Sequence, residues 1–147
     1  MSKTKKTMKS SQPADQFDRC FLTGCDKVTE WQLPWFVENF KKWMPDAKLS
    51  LANFGITEEC MKWAKESGDF HSIGEMERRH VPKGWFMKPG AMLGSPYKEI
   101  CWIDTDCEVC GSLDDIWNHL EPNKIGMVVD EPWTKRYGEK QHNSGMV

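Results

Sequence analysis

Short apolar segments alternate with amphipathic segments along this chain, and this alternation limits the fold more than any other feature. Apolar runs of strand length cover residues 17–23, 49–54, 100–103 and 124–129, and a further run begins at 144. Between them, apolar side chains recur at helical spacing, most clearly over 33–44. Strands that alternate with helices favour a mainly parallel α/β sheet. We therefore predict one Rossmann-like α/β domain over residues 17–147, a single, mainly parallel sheet with flanking helices.

Capping residues predict where the helices begin and end. Thr29 and Gln32 have the spacing of a capping box before the first helix. Thr57 is expected to cap the second helix, and Gly68 is expected to end it. The following segment, up to residue 85, has no clear pattern, and a short helix is predicted at 86–94. A further helix is predicted from the apolar spacing over 113–120.

Length and charge exclude some kinds of partner. The chain has 147 residues, which is enough for one domain with its own core. Its net charge of -2 provides no general basic field, so nucleic acid is not an expected partner. The basic run is confined to residues 1–16, which are predicted to be a flexible lead-in.

The sequence contains no apolar run of the roughly 18 residues that cross a membrane, and its start lacks an apolar signal region. We therefore expect a cytoplasmic protein without a membrane span. In a reducing compartment its six cysteines are expected to be buried small side chains rather than disulfides. Cys107 and Cys110 have zinc-ligand spacing, but no second such pair accompanies them, so structural zinc is the weaker interpretation.

Four short segments lie at the carboxyl ends of predicted strands. They are Gly24–Asp26, Phe54–Gly55, Asp104–Asp106 and Asp130–Glu131. Parallel sheets bind ligands outside the carboxyl ends of their strands. We expect these residues to share one crevice.

Asp104 and Asp106 form an Asp-x-Asp motif directly after an apolar strand. Residues two apart on a strand point to the same face, so the two carboxylates would repel each other unless a cation lay between them. Mg²⁺ and Mn²⁺ prefer such oxygen ligands and often bridge carboxylates to phosphates. No glycine-rich phosphate loop occurs in the sequence, so a metal would take its place. The alternative is a solvated turn after the strand.

Three segments, in order, resemble nucleotide-sugar-dependent glycosyltransferases of the GT-A fold. The run KPGAMLGSPYKEICWIDTDCEVCGSLDDIW (88–117) resembles their metal-binding segment, in which Lys-Pro opens a helix and a strand ends in Asp-x-Asp. FLTGCD (21–26) resembles the first strand and the turn that receives the nucleotide. HNSGMV (142–147) resembles an Asn-Ser-Gly segment found after the metal motif. The resemblance extends over residues 17–147.

The resemblance implies a role for each matching position. Asp106 would bind Mn²⁺ or Mg²⁺ directly, and Asp104 would contact the ribose or reach the metal through water. Lys88 would lie near the phosphates or the donor sugar, where its charge helps the nucleotide to leave. Four residues would line the base and ribose pocket, partly through backbone groups: Thr23, Gly24, Cys25 and Asp26. Three would hold the donor sugar or the acceptor: Asn143, Ser144 and Gly145.

Some side chains keep two interpretations. Asp130 is the favoured general base for an acceptor hydroxyl, ahead of Glu131 and Glu108, although any of them could be an ordinary loop acid. Trp31 could stack on the base or pack in the core. His142 could replace a late histidine ligand of the metal, or it could lie in a solvated loop.

The expected function is metal-dependent transfer of a sugar from a nucleoside diphosphate, with a uridine diphosphate (UDP) sugar favoured, to an unidentified hydroxyl acceptor. The alternatives are a non-catalytic nucleotide-sugar-binding module and a phosphatase of the haloacid dehalogenase type. GT-A domains usually continue beyond the Asn-Ser-Gly segment. A C-terminally short form is therefore expected, natural or a fragment, and a second subunit in a homodimer could complete it.

Overall fold

The computed structural model describes residues 17–76 and 84–147, so the predicted lead-in at 1–16 lies outside the described residues. In chain order the helices and strands are β1 (Phe17–Cys25), α1 (Leu33–Trp43), β2 (Leu49–Asn53), α2 (Glu58–Ser67), β3 (Ser72–Glu75), α3 (Lys88–Gly94), β4 (Tyr97–Trp102), β5 (Val128–Val129), α4 (Glu131–Tyr137) and β6 (His142–Asn143). Short 3₁₀ helices cover Glu30–Gln32, Gly84–Met87 and Asp114–His119.

The main sheet has the strand order β3-β2-β1-β4, and all of its strand pairs are parallel. The predicted parallel α/β sheet is therefore confirmed. Strand β1 lies inside the sheet, with β2 on one side and β4 on the other. Because the strand order reverses at β1, a crevice is expected outside the carboxyl ends of β1 and β4.

Helix α1 covers one face of this sheet with an apolar stripe, as its spacing predicts. Its buried side chains are Leu33, Phe36, Val37 and Phe40. Phe40 meets Phe21 of β1 edge-to-face, with ring centroids 5.2 Å apart. Each such side chain contributes about 1.5–3 kcal/mol when fully buried, so this layer fixes α1 against β1. Trp43, also part of the predicted stripe, is exposed.

The two predicted helix caps have different outcomes. Thr57 caps α2, because its hydroxyl oxygen accepts a hydrogen bond from the Cys60 N–H at 3.2 Å. Gly68 ends that helix with a left-handed φ of 72°. Thr29 makes no side-chain cap hydrogen bond, and the chain forms the 3₁₀ helix Glu30–Gln32 before α1. The predicted capping box at Thr29 is therefore wrong.

Two further regions differ from the prediction. Strand β3 lies in the segment after residue 68 that shows no clear pattern, because a four-residue edge strand with half-exposed side chains leaves little periodicity. The strand predicted at 124–129 shrinks to β5, which pairs antiparallel with β6 in a separate two-stranded sheet. Residues 121–128 are all exposed, so no apolar partner extends this strand. The helix predicted at 113–120 is only the 3₁₀ helix Asp114–His119.

The last residues of the chain return to the main sheet, at the outer side of β4. The N–H of Trp102 donates to the Val147 carbonyl at 2.7 Å, and the Val147 N–H donates back at 3.1 Å. An antiparallel bridge also joins Ile103 to Met146. This pairing carries the Asn-Ser-Gly segment to the end of β4. Within the two described stretches of the chain, no helix has the length and apolar character needed to cross a membrane.

Candidate functional site

The Asp-Thr-Asp segment forms a turn directly after β4. The strand ends at Trp102, and the Cys107 N–H donates to the Asp104 carbonyl at 3.1 Å, which closes the turn. Asp106 therefore lies in the turn, and strand alternation does not determine where its side chain points. Asp104 is partly buried and Asp106 is exposed.

Lys88 and Asp104 form an ion pair at this turn. The Lys88 Nζ lies 2.7 Å from Asp104 Oδ1, and the two side chains are 12% and 33% exposed. The indole N–H of Trp102 donates to the same oxygen at 2.5 Å. The Lys88 ammonium also donates to the Ser144 carbonyl at 2.7 Å and lies 5.3 Å from the centre of the Trp102 ring. Two donors therefore hold one oxygen of this partly buried carboxylate.

The Asn-Ser-Gly segment packs against the same turn. The Asp104 N–H donates to the Gly145 carbonyl at 2.8 Å, and the Gly145 N–H donates to Asn143 Oδ1 at 2.7 Å. A Cβ on Gly145 would lie 2.9 Å from that Asn143 oxygen, 3.3 Å from Cys107 Sγ and 3.8 Å from Asp104 Oδ2. A larger residue at this position would therefore have to displace the Asn143 side chain.

Asp130 lies next to this segment but not at the end of a main-sheet strand. It follows β5 and caps α4, where its Oδ1 accepts from the Trp133 N–H at 3.2 Å. Its Oδ2 accepts from the Asn143 side-chain amide at 3.3 Å. The prediction that Asp130 ends a strand of the central sheet is wrong, because β5, which precedes it, belongs to the separate two-stranded sheet. Its role as a general base stays a prediction.

The residues predicted to form the nucleotide pocket lie at the carboxyl end of β1. The side chains of Thr23 and Cys25 are buried, so they can offer only backbone groups to a ligand. Gly24 lies against the stacked rings of Phe54 and Trp102, whose centroids are 6.0 Å apart. The Asp26 carboxylate accepts from the Val28 N–H at 2.9 Å and so shapes the loop after the strand.

Trp31 is exposed at the same edge of the sheet. Its side chain is 74% exposed, so the core-packing alternative is wrong. Its neighbour Gln32 accepts a hydrogen bond from the Thr105 hydroxyl at 2.7 Å. This contact ties the 3₁₀ helix Glu30–Gln32 to the Asp-Thr-Asp turn.

Three further residues belong to this edge and were not predicted from the sequence: Trp102, Gln32 and Thr105. Trp102 had a signal, because residues two apart on a strand share a face and Trp102 precedes Asp104 by two. Gln32 and Thr105 had none, because their contact spans 73 positions in the chain.

The thiol of Cys107 lies close enough to Asp104 and Asp106 to be affected by their charges. Burial raises the pKa of its thiol, and the negative charges of Asp106 and Asp104 raise this pKa further. Both carboxylates therefore act on the same half-buried sulfur. Among the residues that the structure describes, no three histidine, cysteine or acidic side chains form a ready metal cluster. The described residues therefore give no support to structural zinc at Cys107 and Cys110. They give none to His142 as a further metal ligand either, and His142 is exposed on β6.

The chemistry of the turn fits a hard cation only in part. Carboxylate oxygens are the ligands that Mg²⁺ and Mn²⁺ prefer, and Mg²⁺ often takes one or two of them together with water and substrate phosphates. Asp104 Oδ1 already holds Lys88 and Trp102, which leaves Asp104 Oδ2 and the exposed Asp106. This set fits a cation that completes its shell with phosphate and water.

The fold is that of GT-A glycosyltransferases, and comparison with solved structures shows it. The chain is similar to an active-site mutant of LgtC, with a TM-score of 0.67 and 16% identity over 86% of this chain and 55% of that one. It is also similar to the galactosyltransferase LgtC in complex with donor and acceptor sugar analogs, with a TM-score of 0.63, 17% identity and the same coverage.

The chain spans about half the length of these LgtC structures. No protein-family model matches it. No curated protein sequence matches it significantly either. At such low identity the likeness establishes the fold and leaves the activity to the chemistry of the site.

Proposed function

We propose that this domain binds a nucleoside diphosphate sugar together with a divalent cation and transfers the sugar to a hydroxyl acceptor. One observation carries the proposal: Lys88, Asp104 and the Asn-Ser-Gly segment meet beside the Asp-Thr-Asp turn. They do so at the carboxyl edge of a GT-A sheet, where ligands of parallel sheets bind. A UDP-sugar is the favoured donor.

Asp106 and the free Oδ2 of Asp104 would hold Mn²⁺ or Mg²⁺. When bound, the cation would neutralise the diphosphate as it leaves. Asp106 is exposed and needs no rearrangement to reach a ligand. Asp104 is held in place by the Trp102 indole and by its own N–H bond to Gly145, which orients Oδ2 before the ligand arrives.

Lys88 would supply a second positive charge to the leaving group. Its ammonium is only slightly exposed, so its electrostatic effect is screened less than that of a surface lysine. Positive groups fixed where negative charge develops are a large part of transition-state stabilisation. Lys88 serves both binding and catalysis in this proposal.

The base would lie over the carboxyl end of β1. Backbone groups of Thr23, Gly24 and Cys25 and the loop shaped by Asp26 would line it. Trp31 supports this arrangement because its ring is exposed beside that loop and is anchored through Gln32. An aromatic face of this kind suits stacking on a base.

The acceptor side would include Asn143, Ser144 and Gly145. Asp130 remains the proposed general base. Its Oδ2 accepts only a long hydrogen bond from Asn143, at 3.3 Å, so a hydroxyl of the acceptor could compete for it. The phosphatase alternative loses support because the fold is that of GT-A enzymes.

A thermal-shift experiment tests the binding step. UDP or a UDP-sugar with Mn²⁺ is expected to raise the melting temperature by about 5–10 °C at ligand concentrations near 100 times Kd. EDTA and Asp106→Ala should each remove this shift. Asp46→Ala is the matched control, because Asp46 is an exposed acid before β2, at the opposite edge of the sheet. Equal shifts with and without metal would contradict the proposal.

Turnover separates an enzyme from a binding module. An active domain releases UDP from its donor sugar, at least slowly to water, in the presence of Mn²⁺. Release should fall at least tenfold in Lys88→Met, because the leaving group loses one positive charge. Metal-dependent binding with no release of UDP from any donor would instead establish the non-catalytic module.

A further inference from the structure

Lys88 pairs with one oxygen of Asp104 and leaves the other oxygen for the predicted cation. Its Nζ lies 2.7 Å from Asp104 Oδ1, and the same carboxylate offers its other oxygen to the site. The lysine is held there by the Ser144 carbonyl at 2.7 Å and, more weakly, by the Ser144 hydroxyl at 3.5 Å. The positive charge that a carboxylate in this position needs is thus supplied by the chain itself.

Electrostatics sets this lysine against a free divalent cation. A carboxylate group is only about 2 Å wide, so an ion on Oδ2 would lie within roughly 6 Å of the ammonium on Oδ1. At that distance the two positive charges repel each other, and the low exposure of the Lys88 side chain limits the screening of this repulsion by water. The Asp104 charge is also already satisfied, so it attracts an incoming cation less.

A diphosphate changes this balance. It brings negative charge to the same place, so the repulsion between the ammonium and the metal ion becomes a shared attraction to the phosphates. Lysine is suited to such a change of partner, because its ammonium is a point charge on a flexible stem. The Ser144 carbonyl and the Trp102 ring would remain as contacts for Nζ as it moves.

We propose that Lys88 is the resident counter-ion of Asp104 and that the site therefore recognises a cation–diphosphate complex rather than the free cation. The inference rests on the proposed function, since it concerns the same site. Lys88 thereby couples the two ligands: each binds well only with the other. Removing its charge should strengthen the binding of metal alone and weaken the coupling.

Electron paramagnetic resonance of free Mn²⁺ measures the affinity of the full chain for Mn²⁺, and the titration is done with and without UDP. Wild type is expected to bind Mn²⁺ weakly alone and at least tenfold more tightly with UDP. Lys88→Met should bind Mn²⁺ alone roughly tenfold more tightly than wild type, and UDP should then improve the affinity much less. Lys88→Arg keeps the charge and should resemble wild type.

A matched control removes the same charge elsewhere. Lys98 pairs with Asp18 at 2.8 Å at the amino edge of the sheet, so Lys98→Met should leave both affinities unchanged. Thermal melts of each variant check folding. The inference is wrong if wild type binds Mn²⁺ with UDP but Lys88→Met binds Mn²⁺ alone no better than wild type. If wild type does not bind Mn²⁺ with UDP, the proposed function itself fails.

Discussion

Gly24 shows how closely the site edge is packed at the scale of one residue. A Cβ at this position would lie 2.8 Å from the Ala52 carbonyl oxygen and 2.9 Å from atoms of the Phe54 and Trp102 rings. The carbonyl belongs to the neighbouring strand β2 and cannot yield without disturbing the sheet. The glycine therefore lets Trp102 lie over β1, and Trp102 in turn holds Asp104.

Gly24→Ala is expected to lower the free energy of unfolding by about 1–3 kcal/mol, because overpacking forces the backbone or the rings to shift. Urea denaturation measures it. Gly94→Ala, at the end of α3 where the structure places nothing within 4 Å of an added Cβ, should change stability by less than about 0.5 kcal/mol. Equal effects of the two substitutions would contradict this account of the packing.

Buried thiols give the protein a defined alkaline sensitivity. Burial raises the pKa of Cys25 to about 12, and burial raises that of Cys101 to about 12 as well, from an ordinary value of 9.0. The folded state thus keeps these protons when the unfolded chain has lost them. The stability that each thiol contributes is complete below about pH 9 and is lost as the pH rises toward 12.

Between pH 8 and pH 10 the unfolding free energy should fall by about 1 kcal/mol for each of these thiols, because the thiol ionises in the unfolded chain but stays protonated in the folded one. Urea denaturation at the two pH values measures the loss. In Cys25→Ala the loss should be smaller, because one thiol with a raised pKa is gone. Cys110→Ala removes an exposed thiol and should keep the wild-type loss. Identical losses in both variants would show that Cys25 does not titrate as described.

At the scale of elements, the start of α2 is joined to the loop before α1. The Thr57 hydroxyl accepts from the Cys60 N–H and donates to the Glu30 carboxylate at 2.8 Å. The Thr57 N–H donates to the same carboxylate at 2.7 Å. Glu30 opens the 3₁₀ helix that carries Trp31, so one threonine fixes both a helix end and the position of the exposed ring.

Thr57→Ala should lower the unfolding free energy by about 1 kcal/mol, the usual loss for a helix cap. Thr57→Ser keeps the hydroxyl and should recover most of it. The comparison with Thr29→Ala is the informative one, since both threonines look like caps in the sequence but Thr29 makes no cap bond. Thermal or urea unfolding of the three variants measures these changes in unfolding free energy. A larger loss for Thr29→Ala than for Thr57→Ala would reverse the assignment.

At the scale of the whole molecule, the parallel sheet and its α1 and α2 layers could be predicted because they depend on local periodicity and caps. The same local signals failed at β5 and at the 3₁₀ helix Asp114–His119. Apolar spacing there is present, but the side chains are mostly exposed and the segments do not join the main sheet. Spacing alone does not reveal whether a partner surface exists.

The candidate site, too, could be predicted from the sequence only in part. Lys88, Asp104 and Gly145 could be named from motifs in the sequence. Their pairing could not, because it depends on where α3 and the last residues pack against β4. The strand alternation used for Asp106 also failed, since β4 ends at Trp102 and the chain turns before reaching it.

Three consecutive backbone amides at the end of β4 donate alternately to two different partners, the last residues of the chain and β1. The amides of Trp102 and Asp104 donate to Val147 and Gly145, whereas the Ile103 amide donates to Leu22 in β1. Native-state hydrogen exchange at these three amides would therefore distinguish release of the last residues from opening of the main sheet. If residues 145–147 detach alone, deuterium should enter at the amides of Trp102 and Asp104 well before that of Ile103. Uniform exchange at all three would mean that this segment and the main sheet open as one cooperative unit.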